Sequence, residues 1–128
     1  MTANGIFPQL QGHQYLSLTT YRKSGEGVAS PVWFAIDGDR LYIVTGQGTG
    51  KVKRVRNNPR VTMVASDGRG QPVPGAPTLE GLATIIPMEP GGRGDRALRA
   101  KYRWVYRMFA WFFWLRRIEP VLLEVREA

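Results

Sequence analysis

The sequence predicts a small, mainly β fold of the α+β class: six short antiparallel strands closed into a barrel, with one long helix late in the chain. Three observations carry this. The chain has 128 residues, the size of one domain, so residues 1–128 are expected to share one core. Short segments of alternating apolar and polar residues are separated by glycine- and aspartate-rich turns, the pattern of hairpins. Only one stretch, beyond residue 93, keeps helical periodicity for more than two turns.

Tyr15 to Tyr21 alternates and ends at Lys23-Ser24-Gly25-Glu26-Gly27, a strand entering a hairpin, and Val28 to Ile36 reads as its return. Pro31 inside that return lacks an amide donor. Its position is therefore a sheet edge, a bulge or a place where something other than a strand approaches. Asp37-Gly38-Asp39 turns the chain into a third strand, Leu41 to Thr45. The glycine-rich loop Gly46-Gln47-Gly48-Thr49-Gly50 follows, then one or two helical turns over Lys51 to Asn57 that Pro59 stops. Arg60 to Ala65 and Thr78 to Ile86 are strands four and five, separated by a Gly/Pro-rich loop from Asp67 to Pro77. Gly94-Asp95 can cap a helix from Arg96 to about Arg117, and Val121 to Val125 is the last strand.

Composition removes several function classes. Hydrophobic residues at 43% and charged residues at 22% describe a globular chain, not a disordered one. No cysteine is present, which excludes disulfides, thiolate metal sites and cysteine nucleophiles, and His13 as the single histidine excludes a multi-histidine metal site. The segment Met1 to Gln11 lacks a charged start followed by an apolar run, so a cytoplasmic protein is expected. The longest apolar run, Met108 to Leu115, is too short to span a bilayer, although it could lie on one.

The net charge is +8, and its distribution says more than its size. Five of the 18 basic residues lie in Lys51 to Arg60 with no acid among them, and eight lie in Arg93 to Arg117 against the single acid Asp95. The first zone begins at the glycine-rich loop. That loop fails the Walker A pattern, which needs glycine at Thr45 and a hydroxyl residue at Val52, and fails the dinucleotide fingerprint, which needs glycine at Lys51. What remains is physical: flexible backbone leading into a helix start, with Thr49, Lys51, Lys53 and Arg54 able to donate to phosphate oxygens. The bland alternative is a solvated hairpin exit. Nucleic-acid binding is disfavoured because no aromatic residue interleaves the basic run.

In the late helix, Leu98, Tyr102, Val105, Phe109 and Phe112 recur at helical spacing as a core face. Trp104, Met108, Trp111 and Leu115 form a second apolar stripe that one small barrel cannot cover. A subunit interface is the first candidate cover, an apolar substrate pocket the second, and a membrane surface contact flanked by Arg103, Arg107, Arg116 and Arg117 the third. No catalytic triad or metal site can be named. Any chemistry then belongs to a bound organic cofactor.

Three stretches together resemble a family: Ser17 to Gly25 with Pro31-Val32-Trp33-Phe34, Leu41 to Thr45 with Thr49-Gly50-Lys51, and Arg56-Asn57-Asn58-Pro59-Arg60-Val61. They are similar to the pyridoxamine-phosphate-oxidase-like, FMN-binding type of split β-barrel, and within it to the deazaflavin (coenzyme F-420)-dependent oxidoreductases. The resemblance covers about Gly12 to Ile86. It implies a homodimer with the cofactor in a groove at the subunit interface and its phosphate held by the loop after the third strand. Carried onto this sequence, it implies hydroxyl donors at Thr45 and Thr49, the phosphate lysine at Lys51, further phosphate or tail contacts at Lys53 and Arg54, and a ring-lining strand at Ser30, Pro31, Val32 and Trp33. Gly50 stands where FMN-binding relatives carry the arginine of a Ser-Arg-Lys pattern, which argues against FMN and leaves room for a bulkier phosphodiester.

The expectation is therefore a reductase passing a hydride from reduced coenzyme F-420 to an apolar, conjugated small-molecule acceptor. An FMN-dependent enzyme on the same fold and a non-catalytic cofactor-binding protein are the alternatives.

Overall fold

The computed structural model describes residues 7–128; residues 1–6, the start of the segment tested for a leader, lie outside the described residues. A short 3-10 turn, Phe7–Leu10, opens the described chain, followed by β1 (Tyr15–Tyr21), β2 (Gly27–Asp37), β3 (Arg40–Gly46), α1 (Gly50–Asn57), β4 (Arg60–Ser66), β5 (Leu79–Pro87), α2 (Arg93–Tyr102), α3 (Trp104–Leu115) and β6 (Pro120–Glu127). All strand pairings are antiparallel, and the barrel closes in the order β1-β2-β3-β6-β5-β4. Each of the six strands expected from alternation is present, with no end shifted by more than two residues.

Alternation divides the apolar residues into two cores. Leu16 and Leu18 of β1, Val32 and Phe34 of β2, and Leu41 and Ile43 of β3 fill the barrel interior, which Phe7 and Leu10 join. Ala35, Tyr42, Val44 and Leu122 point outward and are covered by Leu98, Tyr102 and Tyr106.

The barrel is split along one seam. Residues 27–33 of β2 pair with β1, whereas only residues 34–37 pair with β3. The β3 segment 44–46 pairs with β6 and leaves its other side facing the gap. Pro31 lies on the stretch of β2 left unpaired toward β3, opposite Ser17 of β1. What approaches it is the loop after β4: Gly70, at φ 86°, lies so close that a Cβ there would stand 3.2 Å from Pro31 Cδ. Only glycine meets both the backbone angle and the space.

The expected single late helix is two helices. The chain breaks at Arg103, which takes φ 53° and ψ −124°. No proline or glycine marks the spot; instead a buried tyrosine pins each side. The single Tyr102 Oη proton is shared between Gln14 O at 2.7 Å and Phe34 O at 3.0 Å, and Tyr106 Oη donates to Asp95 Oδ1 at 2.9 Å. The core face also differs from the expected one beyond the break: Tyr106 and Phe113 are buried, Val105 and Phe109 half-buried, and Phe112 is 45% exposed. Nor does Asp95 cap the helix. Gly92 occupies the N-cap, and Asp95 reaches back from the first turn to accept the Gly91 N–H at 2.9 Å. No helix among the described residues is long and apolar enough to cross a membrane.

Candidate cofactor groove

The seam between β2 and β3 opens into a groove of about 320 Å³. Pro31, Val32 and Trp33 form one wall, and Thr45, Gly46, Thr49 and Lys51 form the opposite one. Six of the ten residues singled out in the sequence thus face one cavity: Pro31, Val32, Trp33, Thr45, Thr49 and Lys51.

Trp33 is held on three sides. Its ring stacks on Tyr102 at 4.5 Å and 10° between planes, contacts Phe109 at 5.0 Å, and meets Tyr15 edge-on at 6.5 Å. Offset stacking of this kind fixes ring orientation as well as burying area. Tyr102 is itself fixed, since its hydroxyl also accepts the Phe34 N–H at 3.1 Å. Burial pushes the Tyr102 hydroxyl up to about 12, so it stays neutral and keeps its proton to donate.

The far wall is polar for a reason visible in the strand pattern. Alternation places Thr20, Ser30 and Thr45 on the barrel-facing side, beyond the leucine, valine and isoleucine tiers of β1, β2 and β3. Thr45 Oγ1 lies 3.3 Å from Thr49 Oγ1, and the Thr49 hydroxyl donates to Gly46 O at 2.9 Å. Because Thr49 spends its hydroxyl there, α1 begins without a side-chain cap. Ser30 Oγ is buried with no hydrogen-bond partner. A buried hydroxyl left unpaired is uncommon and marks a place where a polar ligand atom could be received.

Lys51 is half-buried at the start of α1. Among the described residues no carboxylate lies within ion-pairing distance of it or of Arg54. Burial, and after it the positive charge of Arg54, holds the Lys51 ammonium below the usual lysine range. A cation in that state gains when an anion arrives.

Gly50, Lys53, Arg54 and Ser30 do not line the groove itself. Arg54 folds back over the helix start, its Nε donating to the buried Thr20 Oγ1 at 2.7 Å. A Cβ on residue 50 would stand 2.7 Å from Arg54 Nη1. The guanidinium therefore occupies the space a side chain at position 50 would take. Lys53 is exposed on the outer side of α1 and makes no ion pair among the described residues.

Sequence reasoning missed Tyr15, Gly68, Phe109, Phe113 and Ile118 as lining residues, and Thr20 as the anchor of Arg54. Thr20 was readable from its even spacing with Leu16 and Leu18. The others reach the groove from distant elements. A larger concavity of about 1070 Å³ lies elsewhere, between His13, β2 and α2. One of its cations, Lys101, already donates to Phe34 O at 2.8 Å, and none of the ten residues lines it.

A barrel opened along one seam, with a basic helix start at the opening, defines the split β-barrel class. The chain belongs to the pyridoxamine 5′-phosphate oxidase family, whose profile matches residues 6–117. Among solved structures it is similar to a conserved hypothetical protein from Mycobacterium tuberculosis (19% identity, 93% of this chain and 76% of that one, TM-score 0.67). It is similar also to the haem-storage protein HutZ of Vibrio cholerae (14% identity, 96% and 87%, TM-score 0.63) and to an F-420 reductase (19% identity, 98% and 94%, TM-score 0.57). At these identities the likeness is one of fold. No curated protein matches the sequence.

Proposed function

We propose that this protein is a deazaflavin-dependent oxidoreductase, binding coenzyme F-420 along the seam and reducing an apolar, conjugated small molecule. The observation that carries the reading is the half-buried, uncompensated Lys51 beside Arg54, set at a tier of hydroxyls and across the gap from a fixed tryptophan. The likeness to an F-420 reductase fold agrees with it.

The residues fit the group. Lys51, with Thr45 and Thr49 beside it, would hold a phosphodiester, and the unpaired Ser30 hydroxyl lies on the same side of the barrel. Arg54 and the exposed Lys53 add positive charge on α1 for an acidic tail. When bound, the coenzyme supplies the hydride and the conjugated ring that carries it. The chain's part is to bind, orient and exclude water. Trp33, locked by Tyr102 and Phe109, presents a rigid wall, and Val32, Phe113 and Ile118 keep the surroundings apolar. Among the described residues no histidine lines the groove and Lys51 is its one charged side chain, so an acceptor placed there meets apolar surface except at the anion end. A second copy of the chain would close the open side.

The test starts with the absorbance spectrum and mass of whatever co-purifies, followed by titration with both cofactors. Coenzyme F-420 is expected to bind at least tenfold more tightly than FMN. Tighter binding of FMN would move the assignment to an FMN enzyme, and binding of both without reduction of any tested acceptor would favour a storage or delivery role.

A further inference from the structure

The outer face of α3 has no part in the groove chemistry and no cover among the described residues. Trp104, Trp111 and Trp114 are 67%, 59% and 73% exposed, and Met108 and Leu115 are also more than half exposed. Since aromatic side chains carry roughly 150–250 Å² each, this face exposes on the order of several hundred Å² of apolar surface, the upper end for a soluble monomer. Its frame is mainly basic, with Glu119 at its C-terminal end the one carboxylate sharing a concavity with Trp114 and Leu115 among the described residues. From Arg96 to Ile118 the sequence has no acid, and Arg103, Arg107, Arg116 and Arg117 form no ion pair among the described residues. Arg116 lies along the face, its guanidinium 5.5 Å from the Phe112 ring.

We infer that α3 docks this protein onto an anionic lipid surface, lying in the plane of the interface. Charge complementarity decides between this occupant and a second copy of the chain. A two-fold packing of the face on itself would bring four arginines from each copy together. Five of the ten carboxylates are already in ion pairs within the chain, and of the other five only Glu119 lines a concavity with α3 residues, one acid per copy against four arginines. An anionic headgroup layer supplies the missing charge, and tryptophan is the residue suited to the boundary between headgroup and acyl chain. The helix is 12 residues long, about 18 Å, enough to lie on a bilayer and not to cross it.

Flotation with phosphatidylcholine vesicles containing phosphatidylglycerol, compared with phosphatidylcholine alone, tests this on the full chain without any cofactor. The expected result is flotation with the anionic vesicles, a blue shift of tryptophan emission, and a loss of about fivefold in partitioning for each of Arg107→Gln and Arg116→Gln. Trp111→Glu should abolish flotation while leaving the circular dichroism spectrum unchanged. Flotation that survives Trp111→Glu would overturn the assignment to α3, since charge alone would then explain it. No flotation by the wild type would also overturn it, and self-association lost in Trp111→Glu would then make the second copy the occupant.

Discussion

At the scale of single residues, the groove depends on cations without partners. Lys51→Ala should weaken coenzyme binding by about 1.5–3 kcal/mol, the range for a hydrogen bond to a charged group, and leave the fold intact because no internal bond or ion pair is lost. Calorimetry on the variant measures it; wild-type affinity would remove Lys51 from the site. Gly50 and Arg54 act as a pair. A methyl at position 50 pushes the guanidinium off its place over the helix start, so Gly50→Ala should lower affinity as Arg54→Ala does, and the double variant should lose no more than either single change. Additive losses would show that the two positions act separately. Lys51 and Thr49 were legible because the glycine-rich loop and helix start are local in sequence. The pairing of Arg54 with Thr20 was not, because 34 residues separate them and only barrel closure brings them together.

At the scale of elements, the late helices show where local pattern stops being informative. Helical spacing located the buried Leu98 and Tyr102 but continued in the wrong phase to Phe112, because no proline or glycine announces the break at Arg103. What sets the elbow is tertiary: Asp95 of α2 accepts the Gly91 N–H and the Tyr106 hydroxyl and lies 3.3 Å from the Arg99 guanidinium. Burial works to raise the Asp95 carboxyl, but these donors and the Arg99 charge outweigh it and hold it below the usual carboxylate range. Its unfolded value is near the ordinary ~3.9, so the stabilisation is complete above that pH and fades as pH falls through the depressed folded value. Asp95→Asn should therefore cost about 1.5–3 kcal/mol at neutral pH and less in acid below the unfolded value, where protonation begins to remove the carboxylate's advantage. Urea denaturation at pH 7 and at pH 3 checks the sign; an equal cost at both would mean that the carboxylate charge is irrelevant. A second contact of this kind is Tyr102, whose hydroxyl bonds Phe34 and Gln14. Tyr102→Phe should cost about 1–3 kcal/mol by orphaning buried backbone groups, and should also loosen Trp33, read as faster quenching of its fluorescence in a variant lacking the α3 tryptophans.

At the scale of the whole molecule, the six strands and their order along the chain followed from alternation, whereas the seam did not. Pro31 signalled an irregular place in β2, yet nothing local shows that pairing changes sides between Trp33 and Phe34. That change creates a groove with two built walls and an open side. A ligand bound there keeps part of its surface in water unless another molecule closes over it, and a second copy bound in that way would complete the site. Binding and self-association are then linked, because whatever binds the dimer more tightly than the monomer must shift the equilibrium toward the dimer by the same free energy. Sedimentation with and without coenzyme F-420 should show a larger dimer fraction with coenzyme, and its affinity should fall as protein is diluted through the dimer dissociation constant. Trp111→Glu should change neither quantity, since α3 is assigned to the lipid surface and not to the partner. A coenzyme affinity independent of protein concentration would mean that one chain forms the whole site, and a dimer lost in Trp111→Glu would return the apolar face of α3 to the subunit interface.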